Sequence, residues 1–287
     1  MSAEWPFVSV VVVTVGRLDC LLDTLNDLAG QDYPLYDVTV VDQNPVTFRE
    51  FAELAAQSNG VIRIVRLEQP NMCAARNLGI DRTQGEIVLF VDDDIRCGAQ
   101  LIREHAAAFR AADIGGAGGW IEAERPDKVW KPAETSVRRP IGCNMSFRRE
   151  VLERVGGFDT HIAGPAAFGD EVDIAHRVRR AGYRIAVAPK AVLKHLAVPS
   201  GGCRPEDGRP REYWRSYVRN QVLVFLKTHS LPYRMALAFW LVRFWRTAHQ
   251  LSGGTLERDE FARAAREGVS AYHESRGVGG YLGKKGD

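Results

Sequence analysis

Residues 7–15 read Phe-Val-Ser-Val-Val-Val-Val-Thr-Val, with six valines in nine positions. β-branched side chains are stiff at χ1 and favour extended backbone. A run that is apolar at almost every position, rather than at every second one, must be covered on both of its faces. That is the environment of a central strand in a parallel sheet clad by helices, so the chain is read as α/β. Nine residues fall well short of the ~20 needed to span a bilayer, and the segment lacks a basic flank and ends in Gly16-Arg17, so neither a membrane span nor a signal peptide is expected.

The rest of the first half alternates in the same sense. Leucines at 18, 21, 22, 25 and 28 form a helical stripe, Val38–Val41 is a strand closed by Asp42, Phe48–Ala56 is a helix and Val61–Val65 a third strand. Asn71 stands where an N-cap belongs, ahead of a helix over Cys73–Asp81. Glu86–Val91 is a fourth strand, Ala99–Ala112 a helix and Ile114–Ile121 a glycine-rich strand. This β-α order predicts a parallel sheet with helices on both faces, whose ligands bind outside the carboxyl ends of the strands.

Beyond residue 122 the pattern loosens. Glu124–Pro140 is a polar, proline-bearing connection, Ile141–Phe147 a strand, Arg149–Val155 a short helix and Asp170–Arg180 another. Tyr183–Ala188 and Ala191–His195 are expected as two short strands. Pro199–Pro210, with three glycines and three prolines, is expected to be a mobile loop. Helices over Tyr213–Lys227, Pro232–Leu251 and Leu256–Ser275 precede a glycine-rich tail, 276–287, expected to be flexible.

Composition removes several classes. Apolar residues at 45% and charged residues at 26% describe a folded chain, and a formal net charge of +2 gives no basis for a nucleic-acid binder. Cys20, Cys73, Cys97, Cys143 and Cys203 include no Cys-x-x-Cys pair, so no disulfide framework or zinc knuckle is expected and a reducing, cytoplasmic setting is. No Gly-x-Gly-x-x-Gly follows the first strand, and no Gly-x-x-x-x-Gly-Lys-Ser/Thr occurs anywhere, which leaves a nicotinamide dehydrogenase or P-loop NTPase poorly supported.

The chemistry is concentrated at strand ends. Asp92-Asp93-Asp94 follows the buried fourth strand, and three adjacent carboxylates repel one another at a cost on the order of a few kcal/mol that a divalent cation would remove. Hard oxygen ligands suit Mg²⁺ or Mn²⁺; a solvated acidic turn is the alternative. Asp42 could accept hydrogen bonds from a base or ribose, or simply shape the turn before Asn44-Pro45. Arg76, in the first turn of its helix, suits a phosphate or a base carbonyl, with a surface arginine as the alternative. Asp170-Glu171 opens a helix, either as an N-cap with an acidic first turn or as a general base kept anionic by the helix N-terminus. His195, at a strand end, could ligate a metal or be structural.

Thr14, Val41-Asp42, Ala74-Ala75-Arg76-Asn77-Leu78-Gly79, Phe90-Val91-Asp92-Asp93-Asp94, Gly142-Cys143-Asn144-Met145-Ser146-Phe147-Arg148-Arg149, Gly156-Gly157-Phe158-Asp159, Gly169-Asp170-Glu171-Val172-Asp173 and Arg219-Asn220 occur in this order over residues 7–228. Together they resemble the family 2 glycosyltransferases of GT-A fold. The resemblance implies a Rossmann-like, mostly parallel sheet with helices on both faces, 1–122 serving as the nucleotide-sugar half and 123–228 as the acceptor half, with a helical appendage over 229–275. It implies that Asp42 and Arg76 bind the nucleotide base and Asp92 the ribose, and that Asp94 and His195, with Asp92 beside them, hold Mg²⁺ or Mn²⁺ on the donor diphosphate. Thr14, Asp93, Asn144 and Arg219 lie in motifs that line the substrate site. The Asp170-Glu171 pair would activate the acceptor, Glu171 standing at the base position; the family usually has Glu then Asp, so the reversed order leaves open which of the two neighbours is the base. Gln43-Asn44-Pro45 replaces the small polar residues common after Asp42.

The activity implied is transfer of a sugar from a UDP-, GDP- or dTDP-linked donor to a glycan or lipid-linked acceptor, in one displacement with inversion, in polysaccharide or glycoconjugate assembly. Trp120 and Trp130 could stack on an acceptor sugar or be packed away. Two other classes stay open from the sequence: a sugar-1-phosphate nucleotidyltransferase, which would want a glycine- and lysine/arginine-rich loop where Thr14–Arg17 stands, and a non-catalytic sugar-binding relative. Residues 204–250 carry nine Lys/Arg against three Asp/Glu. Phe239, Trp240, Phe244 and Trp245 beside Arg234, Arg243 and Arg246 form an aromatic-basic helix that either rests on the inner face of an anionic membrane or packs against the catalytic domain or a second subunit, as in a homodimer.

Overall fold

The computed structural model of the protein describes residues 5–46, 48–58, 60–123, 140–198, 201–202, 209–230 and 236–277. The expectations for the connection 124–139, which includes Trp130, for most of the loop 199–210, for the start of the 232–251 helix and for 278–287 lie outside these residues.

The chain runs β1 (Val8–Thr14), α1 (Leu18–Ala29), β2 (Tyr36–Asp42), α2 (Arg49–Gln57), β3 (Ile62–Arg66), α3 (Met72–Asp81), β4 (Ile87–Asp92), β5 (Ile95–Cys97), α4 (Leu101–Ala107), β6 (Ile114–Ala123), β7 (Asn144–Arg148), α5 (Arg149–Val155), α6 (Asp170–Arg180), β8 (Arg184–His195), α7 (Arg211–Thr228), α8 (Leu237–Leu251) and α9 (Arg258–Gly277). The eight strands form one sheet in the order β3-β2-β1-β4-β7-β6-β8-β5.

Pairing of β1 with β2 and β4, and of β2 with β3, is parallel, and the register sets Thr14 beside Asp42 and Val13 beside Asp92. The valine run therefore does what its composition demands. Val8, Val10 and Val12 enter a core against α1, α2 and α4, while Val11 enters the opposite core beneath α3, α5, α6 and α7. Helix α1 presents Leu21, Leu25 and Leu28, the expected stripe, to the first of these cores. Helix α3 begins at Asn71, whose side-chain oxygen accepts from the Ala74 amide at 2.9 Å, as its cap position predicts. It lies unusually close to the sheet, for a Cβ on Gly79 would sit 2.4 Å from Val11.

The structure departs from the sequence reading in three places. The β-α order alone would put β6 beside β4, but β7 is inserted between them, antiparallel to both. Two short strands were expected over 183–195. They are one strand, β8, whose pairing with β6 jumps between Gly119 and Trp120; Pro189, which has no amide proton to give a ladder, stands in this irregular stretch. The three-residue β5 carries no periodic signal of its own and exists through its antiparallel pairing with β8, which sets Ile95 opposite His195.

The C-terminal helices share the second core. Phe244 and Ala248 of α8 and Phe261, Ala264 and Ala265 of α9 belong to the same cluster as Trp214, Val218 and Val222 of α7. The rings of Phe225, Trp240 and Phe244 stack at 4.6 and 4.7 Å between centroids and join α7 to α8. The other face of α8 leaves Phe239 and Val242 exposed, with Arg243 and Arg246 beside them. Among the described residues no helix is long and apolar enough to cross a membrane.

Candidate active site

The carboxyl ends of β1, β2 and β4 lie side by side, and their last residues open onto one edge of the sheet. Asp42 ends β2 fully buried. Its Oδ1 accepts hydrogen bonds from the Asn44 backbone amide (2.9 Å) and side-chain amide (2.6 Å), while Oδ2 has no hydrogen-bond partner among the described residues. Asp42 thus shapes the turn and keeps an acceptor in reserve. Asn44 in turn accepts from the Gly16 amide at 2.7 Å, and the Gln43 side chain accepts from the Asn71 amide at 2.8 Å. The Gln43-Asn44-Pro45 corner therefore ties β1, β2 and α3 together.

The three aspartates after β4 are not equivalent, and they are not a solvated turn. Asp93 is buried; it accepts from the Thr14 hydroxyl at 2.8 Å and from Arg17 at 3.0 Å. Burial pushes its carboxyl up to about 6, with Arg17 and Thr14 opposing the rise. The sequence motifs put Thr14 and Asp93 at the substrate site; here they bind each other and hold Arg17. Asp94 has no exposure. Its Oδ2 lies 3.0 Å from Arg17 and accepts from the Val198 amide at 3.1 Å; its Oδ1 makes no hydrogen bond of good geometry and faces His195 Nε2 at 3.1 Å. Burial raises the Asp94 carboxyl, but the neighbouring His195 and Arg17 outweigh it and hold the group below its ordinary value.

Asp92 is 37% exposed in its side chain and faces the cleft, with His195 Nε2 at 3.7 Å and Arg76 at 3.9 Å. Enclosure by the cleft walls raises its carboxyl against the lowering charges of Arg76 and His195. Cys143, just before β7, brings its sulfur into the same group: one ligand atom each of Asp92, Cys143 and His195 lies within 4.8 Å of the others. The Asp92 carboxylate and the His195 imidazole, with Asp94 Oδ1 3.1 Å from the same ring nitrogen, are donors of the kind a divalent cation such as Mg²⁺ or Mn²⁺ accepts.

Arg17 is the residue that sequence reasoning missed. It sits at the N-terminal boundary of α1, 9% exposed in its side chain, and serves as counter-ion to both Asp93 and Asp94. Its partners lie far from it in sequence, and only the closeness of β1 and β4 creates the pairing.

Arg76 is not a surface arginine. It is 3% exposed, ion-paired with Asp170, bonded to the Gly142 carbonyl at 3.3 Å and stacked 5.3 Å above the Phe158 ring. It spans the cleft from the aspartate cluster to α6. The N-cap of α6 is Gly169, at φ 99°, and not Asp170, so the Asp170 side chain is released from capping to meet Arg76. Glu171 follows in the first turn and is partly exposed. Behind them, Lys227 of α7 joins Asp159 to Asp173, the latter at 2.8 Å, and Arg177 meets Asp173 at 2.6 Å, which locks the first turn of α6 onto α7.

The remaining candidates divide. Trp120 on β6 is 37% exposed. Asn144 is fully buried: its amide donates to the Trp120 and Ala191 carbonyls, both at 2.9 Å, and its oxygen meets His105 Nε2 at 2.7 Å, so it ties β7 to β6, β8 and α4. Arg219 donates to the His161 carbonyl at 2.6 Å, and the neighbouring Asn220 amide holds the carbonyls of Ala163 and Ala166. Together they clamp the loop that leads into α6.

Comparisons with known proteins bear on the family and the fold. The model of the family described as glycosyl transferase family 2 matches residues 9–168. The glycosyltransferase AglE of Haloferax volcanii is 26% identical over 260 residues, covering 84% of this chain and 82% of that protein. An N-acetylglucosaminyltransferase of Azorhizobium caulinodans is 24% identical, covering 68% of this chain and 56% of its own. Among solved structures, S. aureus TarS 1-349 in complex with UDP-GlcNAc superposes with a TM-score of 0.65 at 17% identity over 93% of this chain and 81% of that one. The mannosyltransferase PcManGT of Pyrobaculum calidifontis, in complex with GDP-Man and Mn²⁺, gives 0.58 at 17% identity over 96% and 77%. With more than half its length matched by the family model, and with GT-A-like neighbours for its sheet, the chain belongs to glycosyl transferase family 2 and is a glycosyltransferase.

Proposed function

We propose that the chain moves a sugar from a nucleotide-diphosphate donor to an acceptor hydroxyl with inversion, in the assembly of a polysaccharide or glycoconjugate. One observation carries this reading: a buried carboxylate oxygen without a partner on Asp42, the Asp92–Asp94–His195 cluster and the Asp170-Glu171 pair share a single sheet edge. The complexes of relatives with UDP-GlcNAc and with GDP-Man and Mn²⁺ support a nucleotide sugar and a divalent ion here.

Asp42 Oδ2 accepts from the nucleobase and Asp92 from the ribose. Asp94 and His195, with Asp92, hold Mg²⁺ or Mn²⁺, which when bound supplies positive charge to the departing diphosphate. Arg76 pairs with Asp170 and orients it, and Glu171, at the opening of α6, takes the acceptor proton. The acceptor oxygen bonds to the anomeric carbon as the bond from that carbon to the phosphate oxygen breaks on the opposite face. The electron pair leaves with the nucleotide diphosphate. Residues 1–122 serve the donor and 123–228 the acceptor, with Trp120 offering a ring for the acceptor sugar.

Residues 236–251 contain no acidic side chain, and the exposed Phe239 and Val242 beside Arg243 and Arg246 suit the inner surface of an anionic membrane. Sedimentation with phosphatidylglycerol vesicles at low salt tests this: binding by the wild type, and its loss in Phe239→Ser/Arg243→Glu, is the expected result.

A thermal-shift screen of UDP-, GDP- and dTDP-sugars with and without Mn²⁺ identifies the donor. Asp94→Ala and Glu171→Ala should each abolish transfer while leaving the circular dichroism spectrum unchanged. Undiminished transfer in both variants refutes the assignment.

A further inference from the structure

The metal-site reading above leaves one nearby ligand atom unused. The β4–β7 ladder pairs Val91 with Asn144, so its antiparallel register, carried one step further, sets Cys143 opposite Asp92. The sulfur is not on a wandering loop. The next residue, Asn144, is held by three side-chain hydrogen bonds, its backbone amide donates to the Ile141 carbonyl at 2.9 Å, and the Gly142 carbonyl accepts from Arg76. Cys143 is 5% exposed, and its Sγ lies within 4.8 Å of a carboxylate oxygen of Asp92 and a ring nitrogen of His195.

A tetrahedral ion with bonds of about 2.0–2.3 Å to oxygen, nitrogen and sulfur has ligand–ligand edges of roughly 3.3–3.7 Å. His195 Nε2 is already 3.7 Å from Asp92 Oδ2 and 3.1 Å from Asp94 Oδ1. The 4.8 Å limit on the sulfur distances leaves at most about 1–1.5 Å to close, within the reach of side-chain rotation. Hard Mg²⁺ and Mn²⁺ gain little from a thiol, whereas Zn²⁺ and Co²⁺ accept thiolate, imidazole and carboxylate together.

We propose that Cys143 is a sulfur ligand of this site and sets its metal selectivity, so that Zn²⁺ and Co²⁺ bind through sulfur while Mg²⁺ and Mn²⁺ bind through the oxygen and nitrogen donors alone. The inference rests on the metal reading of Asp92, Asp94 and His195. Coordination deprotonates the thiol, and its proton goes to solvent, so one more proton is released per Zn²⁺ bound than per Mn²⁺.

The test uses the full chain, stripped of metal with a chelator, and titrates the metals alone. Co²⁺ should produce a sulfur-to-cobalt charge-transfer band in the near ultraviolet that saturates at one ion per chain and is absent in Cys143→Ser. Zn²⁺ affinity, measured by competition, should fall at least about tenfold in Cys143→Ser, and Mn²⁺ affinity should change by less than about threefold. Cys143→Ala gives the same comparison should the serine variant fold poorly. An unchanged cobalt band or unchanged Zn²⁺ affinity in these variants overturns the role of Cys143 while Mn²⁺ binding stands. Retention of Mn²⁺ binding by both Asp94→Ala and His195→Ala overturns the site itself, and the inference with it.

Discussion

Replacing Arg76 by Met removes the cation of a buried pair whose partner, Asp170, is equally buried, at 4% and 3% side-chain exposure. Breaking such a pair from one side costs about 3–5 kcal/mol, because the remaining charge keeps its desolvation without compensation. Asp170 has one escape: it can take up a proton, which at pH 7 costs about 4 kcal/mol against the ordinary carboxylate range. That route caps the loss. Methionine fills much of the arginine volume but forfeits the guanidinium over Phe158, a further ~0.5–2 kcal/mol. The expected loss at pH 7 is therefore about 3.5–6 kcal/mol, or roughly 7–24 °C in melting temperature.

The pH dependence carries the sharper test. In the variant the folded state holds a proton that the unfolded chain has released, so acidification favours the fold. At pH 5 proton uptake costs only about 1.5 kcal/mol, and the gap between variant and wild type should narrow by about 2–3 kcal/mol in urea unfolding. Arg76→Met/Asp170→Asn should recover most of the loss at pH 7 and still fail to transfer sugar. A single variant within about 1 kcal/mol of wild type at both pH values would refute the closed, charge-paired cleft.

Other consequences follow from the same kind of reasoning. Asp42→Asn removes a buried charge with one unsatisfied oxygen, so stability should hold or rise while donor affinity, read by calorimetry, falls about 10–100-fold for the lost charged acceptor; an unchanged affinity removes Asp42 from the base site. His105, buried between Asn144 and Ser146, is held down to about 4 by desolvation, against the Asn144 hydrogen bond that raises it. The unfolded chain gains its proton first, so this residue's stabilisation is complete above about pH 6.5 and is lost as pH falls toward 4, roughly 3 kcal/mol in all; His105→Gln should flatten that slope in denaturant titrations at stepped pH. Gly119→Ala would set a Cβ 2.4 Å from the Ala191 carbonyl and from the Asn144 amide, and should lower stability by about 1–3 kcal/mol in thermal melts; a variant as stable as wild type would mean that β6 and β8 can part.

The elements that could be read in advance were those whose signal is local. The valine run, the α1 leucine stripe and the Asn71 cap each depend on residues a few positions apart, and all three stand in the structure. The strand-end acids were legible because a buried strand stopping at carboxylates leaves them at one sheet edge whatever the surrounding folds do. Their division of labour was not legible. Asp92, Asp93 and Asp94 are chemically identical in the sequence, and only Thr14, Arg17 and His195, contributed by β1, the α1 boundary and β8, make one a buried anchor, one a partner of His195 and one the open face of the cleft.

By itself, then, the sequence determined an α/β chain of glycosyl transferase family 2 with its acidic chemistry at the ends of parallel strands, because burial pattern and capping are short-range properties of neighbouring residues. Tertiary structure alone decided that β7 enters antiparallel, that Arg76 bridges to Asp170, that Arg17 neutralises two aspartates and that Cys143 comes opposite Asp92. Each of these joins segments far apart in the chain, whose meeting depends on strand register and on the closing of long loops, and no periodicity along the chain encodes either.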